Sequence, residues 1–290
     1  MKISDLLLHR SPYENYWLVV KAMRRRWTKE RLFTKADVFS TRKYGNPLTE
    51  IDRFARYIRV LTRVHNGFVQ PDFRDAVVLE LGCGPLLGIG PFAVYCGARR
   101  VFYSEPAFNR DLIRVETIRE GYFRSLHEEL LAEREPGRPE FVRFEDFYDG
   151  LLDRCSDFVC SKPQDRIDFL YSNSVLEHVA LSDLPMLLAR LRCQSSLGCR
   201  YIHVVDFSDH RDTHRPFARI YRSAPSVNRS QHEINALRPS EMKAAIEKAG
   251  FPCKMSVYRN YRGDLPPLDE YWHQFPEEEL RTQVAFFVNL

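Results

Sequence analysis

One stretch of the sequence, VVLELGCGPLLGIG at Val77–Gly90, constrains the fold more than any other. It starts with a short apolar run without polar alternation, which is typical of a strand buried on both faces. Gly82 and Gly84 follow at once, and glycine allows both the positive φ of a tight turn and the close approach of backbone to a ligand. The stretch therefore predicts a strand, a turn and a helix, with a ligand bound at the turn.

The glycine spacing leaves open whether the ligand is a dinucleotide or another molecule. The dinucleotide fingerprint is G-x-G-x-x-G, whereas the third glycine here, Gly88, comes one residue late. Glu105 follows the second predicted strand, where an acidic residue in this type of fold accepts hydrogen bonds from the hydroxyls of an adenosine ribose. The position of Glu105 favours a ligand that contains adenosine; NAD is one such ligand, although the late third glycine disfavours it.

Strands and helices alternate through the rest of the chain, which predicts a doubly wound α/β sheet. Residues 1–75 are predicted to form a helical N-terminal cap, and residues 76–290 one α/β domain with a polar insertion at about 208–238. The predicted helices are Ile51–Val64, Pro91–Cys96, Leu184–Leu191 and Pro239–Ala249. The predicted strands are Ala76–Leu81, Val101–Ser104, Glu140–Phe144, Ile167–Tyr171, Arg200–Phe207 and, near the C-terminus, about Cys253–Tyr258 and Thr282–Asn289.

Three motifs, taken in order, resemble those of the class I S-adenosylmethionine-dependent methyltransferases. They are E-x-G-x-G at Glu80–Gly84, the acid Glu105, and SNSVLEHV at Ser172–Val179. The sequence is most similar to small-molecule methyltransferases, in which LEHV is common. The resemblance implies a seven-stranded Rossmann-like sheet with a reversed C-terminal strand and S-adenosylmethionine as the cofactor. One departure is SSLGCR at Ser195–Arg200, which stands where the family usually has Pro-Gly-Gly.

The resemblance also implies cofactor roles for residues of the glycine stretch. Gly82, Cys83 and Gly84 would approach the methionine part of the cofactor. Glu80 would support this loop or meet the amino group, and Glu105 would hold the ribose hydroxyls.

Further cofactor contacts are implied after the third and fourth predicted strands. Asp146 would meet the adenine amino group, with Glu145 as the competing residue. Asn173 and Ser174 would line the methionine end, partly through their backbone.

Histidines after two predicted strands supply candidate bases, which matter because an alcohol acceptor has to lose its proton. His178 in LEHV is the first, although it is also explained as a histidine that packs at a helix start. His210 and Asp209 in HVVDFSDHRDTH are the second. We assign no metal site: a metal ion held by this cluster is an alternative, but Ser174 stands where some related metal-dependent O-methyltransferases have Glu.

The segment after the fifth strand indicates a polar acceptor. Asp206–His210, Asn228-Arg229 and Gly250-Phe251 resemble a pattern in bacterial methyltransferases of glycan and natural-product pathways. We therefore expect methyl transfer to oxygen of a small polar or glycan-like acceptor. Tyr44 is expected in a lid over the cofactor. The alternatives are an NAD-dependent oxidoreductase and a catalytically inactive methyltransferase-like binding protein.

The charge and the cysteine content of the sequence indicate which partners and which cellular compartment to expect. Lys and Arg number 43 against 39 Asp and Glu, which argues against a dedicated nucleic-acid binder. The basic run Lys21–Arg31 is interpreted as a solvated helix face, with a patch for RNA, a membrane or an acidic partner as the alternative. No apolar run approaches the roughly 20 residues that a membrane span needs, and no secretory signal is evident. Seven dispersed cysteines favour reduced thiols, so we expect a cytoplasmic enzyme. A homodimer is compatible with the sequence.

Overall fold

A computed structural model of the chain describes residues 32–39, 46–132, 140–158, 165–210, 212, 214–225 and 234–290. The chain divides into two compact units. The first, here called the glycine-loop unit, contains the described residues up to Tyr171 together with Ser195–Arg200. The second, here called the histidine unit, contains Ser172–Gln194 and Tyr201–Asn289.

Seven strands form one sheet in the order β3-β2-β1-β4-β5-β7-β6. Strand β2 pairs in parallel with both β1 and β3, whereas β7 pairs antiparallel with both β5 and β6. The sheet is therefore the predicted doubly wound Rossmann-like sheet with a reversed C-terminal strand. The strands are β1 Val77–Leu81, β2 Arg100–Ser104, β3 Cys155–Asp157, β4 Ile167–Asn173, β5 Ser195–Asp206, β6 Lys254–Asn260 and β7 Thr282–Val288.

The helices confirm the predicted ones with small changes at their ends. No helix among the described residues has both the length and the apolar character that crossing a bilayer requires. The α-helices are α1 Lys35–Phe39, α2 Thr49–Val64, α3 Gly90–Tyr95, α4 Glu116–Ile118, α5 Ser125–Ala132, α6 Phe144–Arg154, α7 Leu184–Gln194, α8 Pro239–Lys248 and α9 Glu277–Leu280. A π-helical turn at Arg119–Arg124 joins α4 to α5, and short 3₁₀ turns include Leu176–His178.

Helix α2 is the described part of the predicted N-terminal cap that packs most extensively. Its apolar residues recur at three- and four-residue steps, so one face is buried. Phe54 lies at the centre of that face, and its ring is 5.2 Å from that of Tyr171 and 6.1 Å from those of Phe73 and Phe169. The helix therefore covers β4 through an aromatic cluster.

The third strand was predicted in the wrong place. Glu140–Phe144 is not a strand; helix α6 begins at Phe144, and β3 is the short segment Cys155–Asp157. The helix forms because Phe144, Phe147 and Leu151, three and four residues apart, are all buried on one face. Strand β5 also differs from its prediction, because it begins at Ser195 and so includes the SSLGCR segment.

The insertion after β5 and the segment between β6 and β7 build a second, aromatic core. Phe217, Tyr221 and Trp272 are fully buried there, and the Tyr221 and Trp272 rings are 4.9 Å apart. The guanidinium of Arg238 lies over the rings of Phe207, Phe217 and Tyr221. The insertion is thus a packed structure and not a solvated loop where it is described.

His203 on β5 is a structural residue of the histidine unit. Its ring is fully buried, and Nδ1 is 2.7 Å from the Ser172 hydroxyl on β4. Its other ring nitrogen has no hydrogen-bond partner among the described residues. Burial lowers the pKa of His203 to about 3 because the charged imidazolium would lose its hydration.

We predict that this histidine makes the fold sensitive to mild acid. The unfolded chain binds a proton at His203 below about pH 6.5, whereas the folded chain does not until about pH 3, so stability is lost as the pH falls between these values. Between pH 7.5 and 5.5 the loss from this group is about 1.4 kcal/mol. Urea unfolding of the wild type and of His203→Gln at both pH values measures it. Equal losses in the two proteins would contradict the assignment.

Candidate functional site

The turn between β1 and α3 has the backbone that the glycine spacing predicts. Gly82, Gly84 and Gly88 all have positive φ, at 70°, 66° and 53°. The Gly82 N–H donates to the carbonyl of Ser104 at the end of β2, at 2.9 Å. The glycines thus fold the chain back at the carboxyl end of β1, where a bare backbone can face a ligand.

Glu80 explains the late third glycine. Its side chain is buried, and Oε2 accepts a hydrogen bond from the Ile89 N–H at 2.9 Å. A Cβ placed on Gly88 would lie 2.5 Å from the same oxygen, well inside van der Waals contact. Gly88 therefore leaves room for the carboxylate that holds the end of the loop. Sequence reasoning noted the spacing of Gly88 but not its cause.

Glu105 follows β2 and reaches the glycine loop. One carboxylate oxygen accepts from the Gly84 N–H at 3.3 Å, and the other accepts from the Ala107 N–H at 3.1 Å. The residue is partly buried. The two regions that the sequence paired, the loop and this acid, are thus in contact.

Cys83, at the centre of the glycine loop, is unsuited to be a nucleophile. Its thiol is buried, and burial raises its pKa well above the usual value, with a further contribution from the nearby carboxylates of Glu80 and Glu105. A thiol that stays protonated is unreactive. The residue therefore contributes packing and backbone to the loop.

The placement of Asp146 at the end of the third strand is wrong. It lies in the first turn of α6, more than half exposed, with its carboxylate 3.9 Å from Arg143. Glu145, the competing residue, forms ion pairs with Arg119 and Arg124 instead. The basis for an adenine contact at either residue is lost with the strand.

Asp157 is the acidic residue that sequence reasoning missed. It ends β3, opposite Tyr103 of β2 in the parallel register. Burial raises the pKa of the Tyr103 phenol, and Asp157 adds to that rise, so its carboxylate is near the carboxyl end of β2. The signal in the sequence is a single acid at the end of the three-residue strand Cys155–Asp157, which is too short to show a periodicity.

Asn173 and Ser174 lie at the carboxyl end of β4. Asn173 is the last residue of the strand, and Ser174 has a positive φ of 56°, unusual for a residue with a side chain. The Ser174 N–H donates to the Val204 carbonyl at 2.9 Å. The chain therefore turns sharply here, and the turn leads directly into the segment that contains His178.

His178 and His210 come together in the histidine unit. Their ring centroids are 5.0 Å apart and the rings are nearly perpendicular. One donor atom each from Glu177, His178 and His210 lie within 4.8 Å of one another. Asp206 adds a second carboxylate, with Oδ2 3.8 Å from Nε2 of His210 and 3.5 Å from the guanidinium of Arg259. We call these four residues, Glu177, His178, Asp206 and His210, the histidine cluster.

Asp209, the third predicted catalytic residue, is buried and has a different partner. Its carboxylate is 3.5 Å from Nε of Arg219, and its N–H donates to the Pro216 carbonyl at 2.7 Å. It therefore joins the start of the insertion to the residues that follow within it. Roles are also predicted for three further parts of the sequence that lie outside the described residues: Tyr44, Lys21–Arg31 and Asn228-Arg229.

Comparisons with known proteins identify a family. A family model described as a methyltransferase domain matches residues 50–253, more than half of the chain. A TehB-like S-adenosylmethionine-dependent methyltransferase from Corynebacterium glutamicum is similar, with 13% identity, 84% of this chain and 98% of that chain covered, and a TM-score of 0.36. A search among curated proteins gave no significant match.

Two further solved structures are similar and contain S-adenosylhomocysteine. The DhpI complex has 14% identity, 94% of this chain and 96% of that chain covered, and a TM-score of 0.43. Phosphoethanolamine N-methyltransferase 2 of Haemonchus contortus, bound also to phosphomonomethylethanolamine, has 12% identity, 82% and 46% coverage, and a TM-score of 0.44.

Proposed function

The chain belongs to the methyltransferase-domain family, and from that premise we propose that it transfers a methyl group from S-adenosylmethionine to an oxygen of a small polar or glycan-like acceptor. The observation that carries the proposal is the contact of the Glu105 carboxylate with the Gly84 N–H at the carboxyl end of β1. This edge is where open α/β sheets bind ligands. No observation favours the NAD-dependent oxidoreductase or the inactive binding protein.

The glycine-loop unit fits the cofactor in three respects. The positive φ of Gly82 and Gly84 allows bare backbone to approach the methionine part. Glu80 holds the end of the loop through Ile89, and Glu105 offers a partly buried carboxylate to the ribose hydroxyls. Bound S-adenosylmethionine supplies a methyl group on a sulfonium, which is a good leaving group. Asn173 and Ser174 are assigned to the methionine end.

The acceptor side is assigned to the histidine unit. An alcohol holds its proton tightly, so transfer to oxygen requires a group that removes the proton or weakens the O–H bond. His178 and His210 are the groups that we assign to this step. Asp209 stays assigned to the acceptor side through Arg219, because this ion pair positions the insertion that follows β5.

Glu105→Ala is expected to weaken S-adenosylhomocysteine binding by about 10- to 100-fold, because each hydrogen bond to an ionised carboxylate contributes about 1.5–3 kcal/mol. Isothermal titration calorimetry measures the change. Asp146→Ala is the matched control, since the structure places that acid in an exposed helical turn, and its affinity should equal that of the wild type. Unchanged binding by Glu105→Ala, or binding of NADH in place of S-adenosylhomocysteine, would contradict the proposal.

The acceptor atom is tested with methyl-labelled S-adenosylmethionine and a panel of sugars, phenols, amines and carboxylic acids. A methyl ether survives mild alkali, whereas a methyl ester releases labelled methanol. We expect alkali-stable label on a hydroxylated acceptor and none on the amines. Label on amines alone would overturn the assignment to oxygen and leave the methyltransferase activity intact.

The domain boundary near residue 75, the cytoplasmic location and the homodimer stay predictions. They concern how the chain is organised and where it works, and the proposed reaction does not depend on them.

A further inference from the structure

The histidine cluster has the composition and the spacing of a metal site. Within the histidine unit, donor atoms of Glu177, His178 and His210 lie within 4.8 Å of one another, and the Asp206 carboxylate lies beside His210. Oε1 of Glu177 is 3.8 Å from Nε2 of His178, and Oδ2 of Asp206 is 3.8 Å from Nε2 of His210. Both distances are too long for a hydrogen bond. Donor atoms that bind one ion at about 2.0–2.2 Å lie about 3–4 Å from one another, and both of these pairs fall in that range. The donor atoms of Glu177, His178 and His210, which lie within 4.8 Å of one another, need only a small approach to bind the same ion.

The local structure holds the first two donors in place. Glu177 and His178 lie in the 3₁₀ turn Leu176–His178, and Asn235 fixes this turn with three hydrogen bonds. Its Nδ2 donates to the carbonyls of Leu176 at 2.8 Å and Val179 at 3.0 Å, and its backbone N–H donates to the Glu177 carbonyl at 2.6 Å. A turn fixed at both ends supports donor atoms that need little rearrangement.

Burial and charge also suit a cation. Glu177 is only 1% exposed, and its Oε1 accepts from the Asp206 N–H at 3.4 Å. The His178 and His210 side chains are 10% and 25% exposed, so solvent reaches the cluster mainly at His210. Two carboxylates offset the charge of a divalent ion. Arg259 opposes it, but that side chain is more than half exposed and can move into solvent.

From this geometry we propose that Glu177, His178 and His210 bind one divalent first-row transition-metal ion, with Asp206 as a fourth or supporting carboxylate. Mixed imidazole and carboxylate donors select Mn²⁺, Fe²⁺, Co²⁺, Ni²⁺ or Zn²⁺ over Mg²⁺ and Ca²⁺, which prefer oxygen donors alone. The set differs from the one weighed in the sequence, because His210 joins the Glu-His pair after β4. Position 174 is not required for it.

The metal ion would indicate the chemical class of the acceptor, an inference that rests on the proposed function. Open coordination positions would take a hydroxyl oxygen, or two neighbouring hydroxyls of a polyol. The ion would lower the pKa of the bound hydroxyl, whose proton would pass to water. The oxygen lone pair would then form the C–O bond to the methyl carbon as the C–S bond breaks, and the electron pair of that bond would stay on sulfur. The histidines would act as ligands in this reaction and not as bases.

Metal binding can be measured on the full chain without cofactor or acceptor. The untagged protein is stripped with a chelator and dialysed separately against Mn²⁺, Co²⁺, Ni²⁺ or Zn²⁺. We expect about one ion per chain for at least one of these metals, and visible absorption bands of a nitrogen- and oxygen-bound Co²⁺. His178→Gln and His210→Gln should each weaken binding by about 10-fold or more.

His214→Gln is the matched control, because His214 is exposed and lies outside the histidine cluster. It should bind the ion as the wild type does. The proposal is overturned if the wild type binds no ion, or if the two cluster variants bind as tightly as His214→Gln. Loss of folding is checked by circular dichroism, and a conservative His210→Asp variant, which keeps a donor, should regain part of the binding that His210→Gln loses.

Calorimetry with S-adenosylhomocysteine separates this proposal from the proposed function. Cofactor binding without ion binding would overturn the metal site and leave the methyltransferase assignment standing. Ion binding without cofactor binding would overturn the proposed function and leave the metal site standing. If both are present, methyl transfer to a polyol should fall at least about 10-fold in the stripped protein and return when the ion is added.

Discussion

Gly88→Ala is expected to lower the free energy of unfolding by about 3 kcal/mol and to remove measurable S-adenosylhomocysteine binding. Two costs add at this position. A side chain at a φ of 53° costs about 1–2 kcal/mol. The new Cβ also meets the Glu80 carboxylate, which is buried and must move away from the Ile89 N–H. Loss of that charged hydrogen bond costs about 1.5–3 kcal/mol.

Two variants separate these costs. Gly67→Ala also places a side chain at positive φ, 97°, but nothing lies within 4 Å of its Cβ, so it reports the backbone cost alone. Glu80→Ala removes the group that Gly88→Ala displaces. In a double-mutant cycle the second substitution should therefore cost much less in the Glu80→Ala background. Additive costs in urea unfolding, or full cofactor affinity in Gly88→Ala, would contradict the contact between Gly88 and Glu80.

The sequence predicts most of the fold because the central strands have five to seven residues of mainly apolar character. Val77–Leu81, Ile167–Asn173 and Thr282–Val288 are recognisable without any neighbour, and Gly82 marks the turn after the first. Strand β3 has three residues, so it carries no pattern of its own. The helix before it begins with Phe-Glu-Asp-Phe, and the apolar residues of Glu140–Phe144 at its start resemble a strand. Three residues hold little more than one repeat of the two-residue strand period, too few for an alternation to be recognised.

The sequence predicts which segments form the site but not which side chains meet there. The order of motifs places Glu105 beside the glycine loop, because both follow neighbouring parallel strands. It does not say that Glu80 turns inward to Gly88, since that contact depends on side-chain packing. His178 and His210 each follow a strand, but whether their rings meet depends on the turn at Ser174 and on the insertion. Asp206 and Asp209 look alike in the sequence, and only the fold gives the first to His210 and the second to Arg219.

The other large effect is expected at Arg238, a charged residue that composition alone would place on the surface. Its side chain is fully buried, and burial lowers its pKa, although a guanidinium stays protonated. It donates to the carbonyls of Glu279 at 2.9 Å, Thr282 at 2.8 Å and Phe207 at 3.4 Å. The residue thus ties the end of β5 and the start of β7 to the aromatic core of the insertion.

Arg238→Met should lower the free energy of unfolding by about 3–5 kcal/mol, because it leaves buried carbonyls without donors while keeping most of the side-chain volume. The stability of Arg238→Lys should lie between those of the wild type and Arg238→Met, since an ammonium keeps the charge but not the planar geometry of the guanidinium. Arg192→Met is the matched control. Arg192 also donates to a carbonyl, that of Gly250, and lies over the Phe251 ring, but the contact is exposed and should contribute less than about 1 kcal/mol.

Urea unfolding ranks the three variants and decides what the buried charge does. If Arg238→Lys is close to the wild type, the positive charge over the rings of Phe207, Phe217 and Tyr221 dominates. If Arg238→Lys falls with Arg238→Met, the geometry of the guanidinium dominates. A wild-type stability for Arg238→Met would mean that removing a buried charge offsets the lost hydrogen bonds, as replacement of buried ionic groups by apolar ones sometimes does. The insertion would then be held by its aromatic packing alone.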